Sequence, residues 1–473
     1  MISLKRFGII VGVFSVLCSL NVIAELYNRA PDVMPGTIPE MRTTRYWINR
    51  MDNPDEVILT HDAIERLNDR YDRRVNSDNP FEGVAENRIP DIDYWWPGRV
   101  LVMPDLQSMN ASAVADTVRN RINIQIEYLR DKEFGNALAV KYSDNELDDF
   151  VAEMALDNVK ETVKVRKGIT VRTTRLRNVP SVFPHQIGLR ENAKTRWDLF
   201  NICIVRICTP VTVLHASRTG EYVLVACDEG YGWVKSEDVA FGIATNNINN
   251  IDEFANPASF IVCTGDRIQY YSDPKCLYAS GWIRMGDRLP LLVGNQVKVP
   301  VRDTNGQLKS ANAFLRKDAH FNRGWLPYTR RNIVETAFRL LDNTYDWTGA
   351  WFGRQHEATY RDIFSVFGFR LPWHGALFTI YGETKSVATP DMGKDGQYKT
   401  INANEPFVTI QSCGGHAQLY LGEYNGTPIV LDQHGYGFED ENGTYVEVRR
   451  CCIGDVTMPT YFLKRNVTFC ELK

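Results

Sequence analysis

No run of one-sign charge marks this chain. Its 54 basic and 58 acidic residues are interleaved, leaving a formal net charge of −4 over 473 residues. The basic stripe or tail of a nucleic-acid binder is therefore missing. Low-complexity tracts are absent too, and 44% apolar with 24% charged residues excludes a disordered or collagen-like protein. Its 10 cysteines do not pair up in the CxxC or CxxH spacings of a zinc ribbon or finger. Beyond residue 24 no apolar run approaches the ~20 residues of a membrane-spanning helix. Nothing indicates a cofactor, and none is expected. What is present is core-forming material for roughly two to four domains.

Residues 1–24 read as a secretory signal peptide. Lys5 and Arg6 form the positive start, Phe7 to Leu20 the apolar stretch, and Val22-Ile23-Ala24 a small-residue cleavage site. Glu25 is then the mature N-terminus. The competing reading is an uncleaved signal anchor, because the apolar stretch is nearly long enough to span a bilayer. Leu17 before Cys18 is too large for a lipoprotein cleavage site. Export permits disulfides. Without Cys18 the chain keeps nine cysteines, an odd number, so at least one thiol is free or pairs between chains.

Residues 25–175 read as mostly helical. Thr60 can cap a helix with Ile64, Leu67 and Tyr71 at helical spacing. Val114, Val118, Ile122, Ile126 and Leu129 mark a second, and Ser143 with Glu146 the capping box of a third. A loop around Tyr94-Trp95-Trp96-Pro97 separates the first two. From about Val171 the pattern changes to short strands: Pro210–Ser217, Tyr222–Cys227 and Gly232–Val239, then Ser259–Cys263, Arg267–Tyr271, Gly281–Leu292 and Gln296–Val301. Two such groups with close turns predict two small barrels. A helix resumes after Thr329, with Ile333, Val334, Ala337, Phe338 and Leu341 on one face, and a second runs roughly from Ala358 to Phe367. Strands follow at Phe407–Gln411, His416–Tyr424, Pro428–Asp432 and Tyr445–Arg449. Helices followed by an antiparallel sheet predict an α+β domain, so the whole is an α+β multidomain chain.

Several segments carry a resemblance in this order: Asp32-Val33-Met34-Pro35-Gly36-Thr37, Trp47-Ile48, Val171 to Arg177, Tyr231-Gly232-Trp233-Val234, Gly324-Trp325-Leu326-Pro327-Tyr328, Arg361-Asp362-Ile363-Phe364, Phe367 to Pro372, and Gly415-His416-Ala417 with Leu419-Tyr420-Leu421-Gly422. Together they resemble the NlpC-type murein peptidases, papain-like cysteine peptidases that carry bacterial SH3 domains. The resemblance implies a helical N-terminal stabilising domain (25–175), two SH3-like barrels (176–245 and 246–328) and a papain-like α+β domain (329–473). It also implies a place in the periplasm or cell envelope. The ligand it implies is the γ-D-glutamyl-diamino-acid region of the peptidoglycan stem peptide.

Such an enzyme needs a cysteine at a helix N-terminus, where the dipole favours the thiolate, a facing histidine, and a polar residue that orients it. The family's Asp-Cys-Ser triplet falls on Gln355-His356-Glu357, so the thiol is missing. His416 matches the histidine, and Asp432 the orienting position, with Gln433 or His434 as shifted alternatives. Tyr345 matches the tyrosine of the Tyr-x-Trp-Gly-Gly loop, and Trp373-His374-Gly375 replaces the usual Arg-Asn-Ser. Gln355, Glu357 and Tyr345 are the candidate substrate-binding residues.

Three readings follow. The first is a catalytically silent relative that still binds stem peptide. The second is a cysteine peptidase using Cys413, three residues before His416. An odd offset along one strand sets those two side chains on opposite faces unless Gly414-Gly415 breaks the alternation, and a strand thiol lacks the helix dipole. The third is a metal site in which His356, His416 and Asp432 converge, with Glu357 as base. The unremarkable alternatives are a retained cleft histidine at His416, solvated helix-start residues at 356 and 357, and a turn cap at Asp432.

Overall fold

A computed structural model describes residues 32–82, 97–100, 102–136, 138, 140–181, 186–187, 197–242, 244–245, 248–382, 386–413, 415–440, 443–459 and 461–473. The signal segment and Tyr94 to Trp96 lie outside the described residues. Two of the three expected N-terminal helices start at their expected caps, Thr60 and Ser143, and the other starts at Asn110, which was not foreseen. Thr60 accepts from the Ala63 N–H at 3.3 Å ahead of His61–Val75, and Asn110 accepts from the Ala113 N–H at 2.8 Å ahead of Ala111–Asp131. Ser143 and Glu146 cap each other's backbone ahead of Asp144–Glu153. The periodic residues Val114, Val118, Ile122 and Leu129 are buried, as their spacing requires.

The first group of strands forms one seven-stranded antiparallel sheet: Val239–Phe241, Arg166–Thr170, Pro210–Ala216, Tyr222–Cys227, Gly230–Lys235, Thr174–Arg177 and Asn201–Val205, in that spatial order. Arg166–Thr170 pairs on both edges, so the sheet reaches back into the segment assigned to the helical region, across the boundary set at 175/176. Its five residues carry no alternation of their own; pairing with residues distant in sequence makes them a strand. The second group folds as a three-stranded and a four-stranded sheet. The run Gly281–Leu292 is not one strand. Gly286 takes φ +86° and divides it into Ala279–Arg284 and Arg288–Pro290. A strand not foreseen, Leu308–Leu315, pairs with Gln296–Arg302 over seven positions.

The C-terminal part has a six-stranded antiparallel sheet in the order Val387–Ala388, Val467–Glu471, Thr409–Cys413, His416–Tyr424, Thr427–His434 and Arg450–Asp455. Leu419, Leu431 and Ile453 pack with Ile333, Val334, Tyr360, Ile363 and Phe364 of the two helices Arg330–Phe338 and His356–Ser365. The expected strand Tyr445–Arg449 is instead Tyr445–Glu447, paired apart with Gly437–Glu439, and Arg450–Asp455 supplies the sheet strand. Gly368 ends the 356–365 helix at φ +102°, a backbone that side-chain-bearing residues rarely adopt.

Buried ion pairs tie this helix to the sheets before it. Asp362 accepts from Arg354 at 2.7 Å, from Arg284 of the second strand group at 2.7 and 2.9 Å, and from Arg206 of the first. Arg361 pairs with Glu229, which also accepts from Arg99 at 2.8 Å. No described helix is long and apolar enough to cross a membrane.

Candidate functional site

The 356–365 helix begins two residues before its apolar pattern, so its first turn holds polar residues inside the protein. Gln355 is the N-cap, yet its side chain does not cap the helix. Its Oε1 accepts from the Thr348 N–H at 3.1 Å and holds the 347–349 turn, where Thr348 takes φ +58°. His356 and Glu357 follow, both buried. Burial, with His416 adding, drives the His356 pKa well below the usual imidazole range, against the pull of Asp432. Burial pushes the Glu357 carboxyl up to about 8. Glu357 Oε1 accepts from the Gly375 N–H at 3.4 Å, while Oε2 lies 3.6 Å from His356 Nε2 and has no hydrogen-bond partner.

The facing hairpin supplies the other half. His416 Nε2 lies 3.1 Å from Asp432 Oδ1, Gln418 donates to Asp432 Oδ2 at 3.0 Å, and His434 Nδ1 meets the same oxygen at 3.1 Å. Asp432 is fully buried. Burial opposes its ionisation, but the charge and hydrogen bonds of His416 and His434 outweigh that and hold its carboxyl well below the usual range. The ring of His416 is 4.4 Å, centroid to centroid, from that of His356, and Tyr345 lies 5.7 Å from His356 on the other side. Gln433 faces the helix, donating to the Asn343 carbonyl, so of the three candidates for the third position Asp432 touches His416.

Two expectations change. Cys413 is the register partner of His416 across the hairpin. The pair therefore shares a face rather than lying on opposite ones. The Cys413 thiol is nevertheless committed elsewhere: Sγ donates to the Phe462 carbonyl at 3.4 Å within an apolar cluster, and burial pushes its pKa up to about 11. The compact metal-ligand group is also different. Among the described residues His416, Asp432 and His434 bring ligand atoms within 4.8 Å of one another, and His356 is not of that group. His434 lies two residues beyond Asp432 on the same strand, Thr427–His434, so alternation sets both side chains on one face.

Sequence reasoning missed Gln418, whose signal was its alternation with His416 along one strand. It also missed the aromatic rim. Trp197 stacks on Trp347 at 5.0 Å and meets Tyr436 edge-on at 6.1 Å. His374 lies next to Gly415, and burial lowers its pKa to about 4.

A helix start set against a hairpin strand, behind two groups of strands and a helical N-terminal region, has a solved counterpart. A novel NlpC/P60 endopeptidase from Photobacterium damselae subsp. piscicida superimposes with a TM-score of 0.66 at 15% identity, over 94% of this chain and 99% of that one. The chain has the NlpC/P60 endopeptidase fold. An NlpC/P60 family protein from Bacillus cereus ATCC 10987 matches at 17% identity over 65% of this chain and 99% of its own, with a TM-score of 0.42. Neither a protein-family profile nor a curated protein matches the sequence. In this chain two imidazoles, those of His356 and His416, meet at the juncture of helix and hairpin.

Proposed function

We propose that the protein is an exported cell-wall protein, built on the peptidase fold with two SH3-like barrels, that binds the γ-D-glutamyl-diamino-acid region of the peptidoglycan stem peptide without cutting it. One observation carries this reading. His356 occupies the helix start where the resemblance requires the nucleophile, and its ring lies 4.4 Å from that of His416. A neutral imidazole attacks an amide slowly, and loss of the nucleophile from a triad leaves only ~10³-fold over water from binding and oxyanion donors. Cys413 does not supply the missing thiol, since its Sγ bonds to Phe462 and its raised pKa leaves it protonated at neutral pH.

The cleft keeps groups suited to a peptide. Glu357 Oε2 is a buried carboxyl oxygen with no hydrogen-bond partner, open to a polar group of the peptide. Tyr345 closes the His356 side, and Trp197, Trp347 and Tyr436 line the rim. The test uses the mature protein and the free tripeptide L-Ala-γ-D-Glu-diaminopimelate, followed by mass spectrometry and calorimetry. Saturable binding with the peptide recovered whole is expected. Cleavage that a thiol blocker stops would establish the cysteine-peptidase reading instead, and absence of both cleavage and binding would overturn the stem-peptide assignment.

A further inference from the structure

His416 turns Nε2 to Asp432 at 3.1 Å, and His356 turns Nε2 to Glu357 at 3.6 Å. In each ring the other nitrogen, Nδ1, is buried and has no hydrogen-bond partner. The residues are 2% and 8% exposed, and their ring centroids are 4.4 Å apart. A polar atom left unpaired in the interior is destabilising, so two of them in neighbouring rings call for a shared polar ligand. A carboxylate behind an imidazole is what metal-bound histidines commonly have. It fixes the tautomer, aims the opposite nitrogen and raises its basicity.

We propose that His356 and His416 bind one divalent transition-metal ion of the zinc class through their Nδ1 atoms, with Asp432 orienting the His416 ring. Water fills the remaining positions of a four-coordinate shell. Imidazole donors suit zinc, copper and nickel and not the hard, oxygen-seeking magnesium or calcium. The neighbouring group of His416, Asp432 and His434 is the support for this site rather than its seat. Asp432 there already takes hydrogen bonds from Gln418 and both histidines. The inference shares the cleft with the stem-peptide reading but does not depend on it, since the ion is measured with no peptide present.

The experiment titrates the metal-free mature chain with Zn²⁺ by calorimetry and with Co²⁺ by absorption. One ion per chain and a cobalt spectrum without a thiolate charge-transfer band are expected. H356N and H416N each lose at least about tenfold in affinity, and D432N loses about 10–100-fold, the range for second-shell carboxylates. H61N, which changes a half-exposed surface histidine, leaves the affinity unchanged. Absence of stoichiometric uptake by the unmutated chain overturns the proposal without recourse to any variant. So does a thiolate band, or uptake that folded H356N and H416N retain in full. A failed titration leaves the tripeptide assay unaffected, so the two readings stand or fall separately.

Discussion

At the residue scale, Glu357 and the cysteines give the clearest expectations. Glu357 is buried and its carboxyl is raised to about 8, so between its unfolded and folded pKa values the native state holds a proton the unfolded chain has lost. Stability therefore falls as pH rises through that window. E357Q removes the dependence. Urea unfolding from pH 5 to 8 is expected to show the unmutated chain losing on the order of 2–4 kcal/mol relative to E357Q across the window. The cysteines separate by burial. Of the nine described, all free, only Cys276 is not buried. Brief iodoacetamide treatment of the native protein is expected to label Cys276 and spare Cys413, which peptide mass spectrometry reads directly. Labelling of Cys413 would return it to consideration as a nucleophile.

At the element scale, the 356–365 helix is held as much by charge as by its apolar face. Asp362 gathers Arg206, Arg284 and Arg354 from three parts of the chain. Burial opposes its ionisation, but the three guanidiniums outweigh that and hold its carboxyl well below the ordinary range. That contribution is complete above the ordinary carboxylate pKa and is lost on acidification. D362A leaves three guanidiniums without their shared anion and is expected to cost about 3–5 kcal/mol in chemical unfolding. The same helix allows a gain-of-function test. H356C sets a thiol at the helix start beside His416, whose Nε2 is already engaged by Asp432. It is expected to cut the tripeptide where the unmutated chain does not, and to lose that activity with H416A.

At the scale of the whole molecule, the cleft is made by more than the C-terminal sheet. Trp197, close to the first group of strands, stacks on Trp347 and closes one side of the rim. Asn201 donates to the Thr348 carbonyl at 2.9 Å and holds the turn that Gln355 also grips. W197A is expected to weaken tripeptide binding several-fold while shifting the unfolding midpoint little, because Trp197 is only half-buried. Binding unchanged in W197A would confine the ligand to the helix–hairpin juncture. Much of this was legible in the sequence. Capping residues and 3.6-residue spacing located the helices 61–75, 111–131, 144–153, 330–338 and 356–365, though not Gly375–Tyr381 or Gly393–Asn402, and His356, Glu357, His416, Asp432 and Tyr345 lie together while Gln355 turns to Thr348. Strand limits were read less well, at Arg166–Thr170, Leu308–Leu315 and Arg450–Asp455, because a strand's partners and not its own pattern define it.

The sequence alone determined that a histidine and a glutamate directly precede the apolar pattern of the 356–365 helix, with another histidine on a later strand. Covalent order and short-range periodicity carry that information. Only the tertiary structure decided which nitrogen each ring presents, that Asp432 accepts from His416, Gln418 and His434 at once, and that Cys413 is turned to Phe462. Those relations depend on cross-strand register and on burial, and both are set by segments far apart in the chain.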